Sequence, residues 1–337
     1  MDQNNKKIAV LGDGGWGTTL AILLSGKGHQ VRLWGAFGDY VKYLQKKREN
    51  KKFLPSIRIP EEILISSQLN EVLDSVDMIV MAVPTQYSRK VLEKLKDFEP
   101  KDAIIVTVAK GIENKTLLKP TEIIAEVLGP DKKTAVLSGP SIAVEVAREM
   151  PAAVVASCTD HNAAEQVQAV FNTERFRVYT NNDPVGVELA GALKNIIAIA
   201  CGISDGLGFG ANTKAALLNR GLAEIKRLSV ILGADPQTFN GLAGMGDLIT
   251  TCISAYGRNR YVGQELAQGK KLTQILNEMD MVAEGVRTAE SALELAKKHK
   301  VDMPITEQVC AVLFEDKNPL EAVKDLMLRD PKPEEKW

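Results

Sequence analysis

Four stretches of this sequence carry residue types at spacings that could do chemistry. The first is Gly12-Asp13-Gly14-Gly15-Trp16-Gly17. Its glycines 12, 14 and 17 fit G-x-G-x-x-G directly after an apolar run, Ile8–Leu11, and ahead of a helical segment. In that context the glycines allow a tight turn, and the helix start offers free N–H groups and a positive dipole end to the pyrophosphate of a dinucleotide. The bland alternative is a glycine-rich turn with no ligand. The second is Lys194 in Val185–Ile203, a segment apolar on nearly every side and therefore a buried helix. Its helical neighbours Ala190, Gly191 and Ala198 leave room beside the ammonium, as a ligand would require. A lysine is rarely buried without a partner, so a functional role competes with snorkelling or pairing to Glu188.

The third stretch is a set of loops at the C-terminal ends of expected strands, where open α/β sheets bind ligands. They read Val83-Pro84-Thr85-Gln86-Tyr87, Ala109-Lys110-Gly111-Ile112-Glu113 and Ser138-Gly139-Pro140-Ser141. Ser141 is placed to cap a helix whose start could receive an anion. The fourth combines Gly241–Cys252 with Gly257-Arg258-Asn259-Arg260. By itself Asp247 reads as a helix N-cap. Arg258 and Asn259 are good phosphate donors, although an exposed helix start explains them equally well.

Alternating elements must hold these groups. Short β-rich runs are expected at Ile8–Leu11, Val31–Trp34, Met78–Val83, Ala103–Ala109, Ala135–Ser138, Ala153–Ala156 and Phe176–Tyr179. Most are continuously apolar, as parallel strands covered on both faces are. Helical patterns at Thr18–Lys27, Gln86–Lys96, Glu122–Leu128 and Asn162–Phe171 separate them, which predicts an α/β, Rossmann-like doubly wound sheet. After the turn-like cluster Asn181-Asn182-Asp183-Pro184 the periodicity becomes helical throughout. The expected helices there are Val185–Ile203, Lys214–Leu232, Asn259–Gln268, Glu284–His299, Glu307–Phe314 and Leu320–Leu328. The expected organisation is a dinucleotide-binding domain over 1–183, an all-helical substrate and catalytic domain over 184–329, and a frayed tail over 330–337.

The end of the second strand bears on the cofactor. An acidic residue there bonds the 2′-hydroxyl of NAD, whereas an arginine accommodates the phosphate of NADP. Trp34 is followed by Gly35-Ala36-Phe37-Gly38-Asp39, with neither at the immediate strand end. Phe37 either stacks on adenine or packs under the next helix. Asp39 either reaches the ribose or caps a helix starting at Tyr40. Lys46-Lys47-Arg48 reads as the solvated last turn of that helix.

Composition removes other classes. The 337 residues hold 42 Lys plus Arg against 43 Asp plus Glu, a net charge of −1 that gives no reason to expect nucleic acid or an acidic membrane as partner. With 45% hydrophobic and 25% charged residues the chain is globular, and its length favours two domains. No run approaches the ~20 apolar residues that would cross a bilayer, and the N-terminal apolar stretch is too short for a signal peptide. Cysteines 158, 201, 252 and 310 are scattered, so no disulfide framework is expected and a cytoplasmic location is. Cys158 and His161 have a ligand-like spacing without a second pair, so no metal site is expected.

Taken together these motifs resemble the NAD(P)-dependent glycerol-3-phosphate dehydrogenases of bacteria. The likeness runs in order through Gly12–Thr18, Asn50-Lys51-Lys52-Phe53-Leu54-Pro55, Val83–Gln86, Lys110-Gly111, Ser138–Ser141, Gly191–Asn195, Gly246-Asp247 with Thr250-Thr251-Cys252, Arg258-Asn259 and Val282–Gly285. The resemblance implies a Rossmann domain followed by a helical domain of the 6-phosphogluconate-dehydrogenase type. It implies interconversion of dihydroxyacetone phosphate and sn-glycerol 3-phosphate with NAD or NADP, by a homodimer that makes a phospholipid precursor. By position, Lys194 is the implied proton donor and acceptor, with Lys110 and Asp247 its companions at the reacting oxygens. Lys110, Gly139, Ser141, Asn195, Thr251, Arg258 and Asn259 are the implied substrate set. Gly15, Trp16, Phe37, Phe53, Tyr87, Lys110, Ala143, Arg258, Val282 and Glu284 join the glycines as implied cofactor contacts. Two positions depart from the pattern: Phe37 stands where many bacterial members have arginine, and Gly257 where relatives often have serine. Two other readings remain open on residues alone: a dehydrogenase of the same build acting on a β-hydroxy acid, and a dinucleotide-binding sensor without turnover.

Overall fold

The computed structural model describes residues 5–98, 103–331 and 333–334; of the expected frayed tail, residues 332 and 335–337 lie outside these. The chain divides into two compact units, one formed by Met1–Ala109 and Pro120–Pro184, the other by Lys110–Lys119 and Val185–Trp337.

The first unit is built on strands β1 (Lys7–Leu11), β2 (Gln30–Trp34), β3 (Glu49–Asn50), β4 (Leu54–Arg58), β5 (Leu64–Ser66), β6 (Met78–Met81), β7 (Ile104–Thr107), β8 (Thr134–Ser138), β9 (Ala152–Ser157) and β10 (Phe176–Asn181). Eight form one sheet in the order β10-β9-β8-β7-β6-β1-β2-β5, and β3 with β4 makes a separate hairpin. The order reverses at β1, the place where doubly wound sheets bind ligands. The pairings β1–β2, β1–β6, β6–β7, β7–β8 and β2–β5 are parallel. The sheet is not parallel throughout, because β9 runs antiparallel to β8, pairing Leu137 with Ala156. The intervening helix, Ala143–Ala147, has only five residues, so the chain returns along the same edge without a full crossover. Two features absent from the sequence reading, the hairpin and β5, are too short for a periodicity of two to register.

Ile8, Val10, Leu33, Val80 and Val106 are completely buried, as strands covered on both faces must be. Phe171 ends the helix His161–Phe171 and packs in the same core as Phe176. Burying each such side chain contributes on the order of 1.5–3 kcal/mol.

The second unit is helical, around Pro184–Gly206, Ala211–Ile231, Arg258–Ala267, Glu284–His299, Pro304–Phe314 and Pro319–Met327. Helix Leu272–Glu278 was not expected, and helix Asp247–Ile253 was implied only by the reading of Asp247 as an N-cap. Asp247–Ile253 is preceded by a π-helical turn, Leu242–Gly246, whose three glycines in seven residues from Gly241 hide it from propensity. The 23-residue helix Pro184–Gly206 is long and apolar enough to cross a bilayer, which corrects the expectation that no segment approaches that length; its apolar window is wholly buried in protein. Residues 110–119 pack with this unit because Ile112 sits in its core beside Leu189 and Leu193. Asn114 fixes the segment further by donating to Glu290 at 2.7 Å and accepting from Ser291 at 3.0 Å.

Candidate active site

In the first unit, the glycine loop leaves β1 and enters helix Gly15–Gly26 with Gly14 at the N-cap position. Gly12 has φ of 122°, and a Cβ there would stand 2.6 Å from the carbonyl oxygen of Ala82, so only glycine fits. A Cβ on Gly14 would meet nothing within 4 Å, which leaves the loop open on that side. Gly15 lies against the Phe53 carbonyl and Ala143, so three expected cofactor residues come together. Trp16 instead packs its ring on Phe176, centroids 6.2 Å apart. A helix start free of side-chain caps and an open glycine face fit a bound pyrophosphate.

Asn50 is a residue at this loop that the sequence reading did not single out. Fully buried, it donates from Nδ2 to the Asp13 carbonyl at 2.8 Å and to Thr18 Oγ1 at 2.7 Å. Its Oδ1 accepts from Tyr40 at 2.7 Å and from the Phe53 amide at 3.2 Å. One amide thus ties the β3–β4 hairpin to the glycine loop. Asn50 opens the motif Asn50–Pro55, and that was its only signal.

Other expected positions change role. Phe37 is 74% exposed, which removes the packing alternative. Helix Gly38–Lys47 begins two residues earlier than expected, so Asp39 lies in its first turn beside Lys42, at 3.7 Å, and caps nothing. Lys46 and Lys47 lie exposed in the last turn, and Arg48 closes the helix at φ of 50° while bonding Glu61 and the Ile63 carbonyl. Ser141 is not a helix cap either: Ile142 occupies that position, and the Ser141 hydroxyl donates to the Gly139 carbonyl at 2.8 Å. Tyr87 is half-exposed on helix Thr85–Leu95. Cys158 and His161 are engaged apart, Cys158 with the Thr134 carbonyl and His161 with Glu165, and all four cysteines are free thiols.

The second unit assembles the charged centre. Asp247, 2% exposed, accepts from Lys194 Nζ on Oδ1 at 2.7 Å and from Lys110 Nζ on Oδ2 at 2.8 Å. Its carboxylate is therefore a bridge between two ammonium groups, and the helix that Asp247 begins has Gly246 as its N-cap, with no side-chain cap. Asn195 Nδ2 donates to the Lys110 carbonyl at 3.0 Å, holding the loop segment to the buried helix.

Lys194 is 5% exposed. Burial is the main cause that lowers its pKa, to about 8, and the positive charge of Lys110 adds to this while Asp247 opposes it. An ammonium that releases its proton near pH 8 can serve as general acid in one direction and general base in the other. The niche of Ala190, Gly191 and Ala198 lies on the same buried helix.

The remaining candidates gather at the start of helix Arg258–Ala267. Arg258 Nη1 donates to the Val282 carbonyl at 2.9 Å, and Asn259 Oδ1 accepts from the Gly285 amide at 3.0 Å. Val282 and Gly285 are thereby drawn to Arg258 and Asn259, with Glu284 on the short segment between them. Gly257 precedes the helix where a Cβ would lie 3.0 Å from the Thr251 carbonyl and 3.2 Å from that of Ser254. A Cβ is tight there but not barred, and no serine hydroxyl is present at this position.

Residues 7–164 match the family described as NAD-dependent glycerol-3-phosphate dehydrogenase N-terminus, and residues 183–324 match the corresponding C-terminus. The glycerol-3-phosphate dehydrogenase (NAD(P)+) of Citrifermentans bemidjiense is 53% identical over 331 residues, covering 98% of this chain and 99% of that protein. The protein of the same name from Thermoanaerobacter sp. is 52% identical over 328 residues, covering 97% and 98%. Among solved structures, glycerol-3-phosphate dehydrogenase from Coxiella burnetii superposes with a TM-score of 0.93 at 38% identity, covering 96% of this chain and 99% of that one.

Proposed function

This chain belongs to the NAD-dependent glycerol-3-phosphate dehydrogenase family, and from that premise we propose that Lys194, bridged through Asp247 to Lys110, carries the proton transfer of its reaction. The reaction is the reversible, NAD(P)H-linked reduction of dihydroxyacetone phosphate to sn-glycerol 3-phosphate. When bound, the nicotinamide supplies the hydride that reaches the ketone carbon.

Negative charge then develops on the former carbonyl oxygen. Protonated Lys194 stabilises that charge and delivers the proton; in the oxidative direction the neutral amine takes it back. A lysine at its ordinary value near ~10.4 would make a poor base at neutral pH. Burial and Lys110 bring this one to about 8. Asp247 holds both ammonium groups in place, and Asn195 fixes the Lys110 backbone. In the helical unit Lys110, Asn195, Thr251, Arg258 and Asn259 belong to the substrate set of this reading, the guanidinium and amide taking the phosphate; in the sheet unit Gly139 and Ser141 are its candidates. In the sheet unit Gly12, Gly14, Gly15, Trp16, Gly17, Phe37, Phe53, Tyr87 and Ala143 form the cofactor side of this reading. In the helical unit Lys110, Arg258, Val282 and Glu284 belong to it.

The observation that carries the proposal is the Lys194–Asp247–Lys110 bridge. A loss of nicotinamide absorbance with dihydroxyacetone phosphate tests it, with NADH and NADPH side by side. Wild-type turnover together with near-normal turnover of Lys194→Ala would sink the assignment. On the same reading the chain acts in the cytoplasm as a homodimer, without membrane insertion or a nucleic-acid partner, and its product feeds glycerophospholipid synthesis. Analytical ultracentrifugation giving a monomer at assay concentration would remove the homodimer.

A further inference from the structure

We propose that Asp13, inside the glycine loop, makes this enzyme select NAD over NADP by supplying the acidic group that the end of β2 lacks. The inference rests on the dinucleotide reading of that loop. The residue that ends the second strand of such a sheet reads the adenosine ribose, an acid accepting from the 2′-hydroxyl and an arginine receiving a 2′-phosphate. Here β2 ends at Trp34 and continues Gly35-Ala36-Phe37, which offers neither.

Asp13 fills that gap from the glycine loop that follows the neighbouring strand β1. A side chain built on Gly35 would collide with Asp13 Oδ2 and would stand 2.6 Å from Val41 Cγ2. The carboxylate therefore occupies the space in which an acidic side chain at position 35 would begin. Asp13 is 9% exposed, and its Oδ2 has no hydrogen-bond partner among the described residues. Such an oxygen is costly to bury, so a hydroxyl donor arriving beside it is rewarded. A phosphate arriving there meets a like charge in a low-dielectric setting.

The two arginines nearest in sequence are committed elsewhere. Arg32 Nη1 donates to the Asp74 carbonyl at 2.8 Å, with Nη2 3.8 Å from its carboxylate. Arg48 is bonded to Glu61 and the Ile63 carbonyl. Lys42 lies 3.7 Å from Asp39. Arg32 and Arg48 each have a structural use that a 2′-phosphate would have to break, whereas the Lys42–Asp39 pair is exposed and contributes little.

The test compares kcat/KM for NADH and NADPH in the wild type, Asp13→Asn and Asp13→Ala, with ADP and its 2′-phosphorylated form as competing inhibitors. The wild type is expected to prefer NADH, and to be inhibited more strongly by ADP, by about tenfold or more. Asp13→Asn keeps the shape and removes the charge, so the cofactor ratio is expected to narrow by about tenfold, and Asp13→Ala to move it the same way. A purely structural role would lower the melting temperature and leave the ratio alone. A wild type that prefers NADPH or makes no distinction overturns the proposal even if neither variant folds. A ratio that moves less than about twofold in both folded variants overturns it too. Absence of both binding and turnover with either cofactor would instead bring down the dinucleotide reading, and this proposal with it.

Discussion

Lys194 Nζ and Asp247 Oδ1 lie 2.7 Å apart, although 53 residues separate them in the chain. Both are almost completely buried, and each would be costly there without the other. The second oxygen of Asp247 faces Lys110, so one carboxylate answers two ammonium charges. This arrangement keeps a net positive charge at the centre, suited to an oxygen that becomes anionic and to a substrate that carries phosphate.

Replacing Lys194 by alanine removes the proton donor. Turnover should fall between about 10²- and 10⁴-fold, the range general acid–base groups contribute. Cofactor affinity, followed by quenching of protein fluorescence or by nicotinamide emission, should change little.

The neighbours of Lys194 should move its titration in opposite directions. Its pKa is about 8, with Asp247 raising it and Lys110 lowering it. Reduction needs the ammonium, so its rate should fall as pH rises through 8; oxidation needs the free amine and should rise over the same interval. Asp247→Asn should shift both limbs to lower pH, and Lys110→Met should shift them to higher pH. Profiles of kcat/KM against pH in both reaction directions check the signs.

A second buried group governs stability. Glu224 accepts from the Ile305 and Thr306 amides and from the Thr306 hydroxyl, at the start of helix Pro304–Phe314. Burial raises its pKa from 4.5 to about 7, against those bonds and nearby Arg227. A carboxyl raised in the folded state holds its proton more tightly than in the unfolded chain. Its contribution is thus complete below pH 4.5 and is lost as pH rises towards 7. Melting temperatures across that interval should decline more steeply in the wild type than in Glu224→Gln; parallel curves would contradict this.

Asn50→Ala should loosen the cofactor loop. The substitution leaves the Asp13 carbonyl and the Tyr40 hydroxyl without the amide that joins them. Unsatisfied buried groups cost about 1–3 kcal/mol, so the melting temperature should drop and the dissociation constant for NADH should rise. Thermal denaturation and a cofactor titration together measure this. Unchanged affinity in a destabilised variant would confine Asn50 to a structural role.

Much of the fold was legible because local patterns record which faces are buried. Continuous apolar runs marked the long strands, and the glycine spacing marked the turn after β1, where Gly12 needs a positive φ and contact with Ala82. The helix around Lys194 announced itself by being apolar on nearly every side. Short elements escaped, since two residues of β3 or three of β5 contain too little periodicity to read.

The sequence by itself determined the alternation of elements, the change to helices near residue 184, and the few polar groups that burial would make expensive. Tertiary structure decided their partners. Asp247 looked like a helix cap until Lys110, 137 residues away, and Lys194 were both found on its carboxylate. Asn50 was only the first residue of a resembling stretch until Asp13, Thr18, Tyr40 and Phe53 converged on its amide. The reason is physical: a side chain's own neighbours in sequence fix its backbone and the face it presents. The charge or hydrogen bond it must answer arrives from whatever the packed core brings beside it.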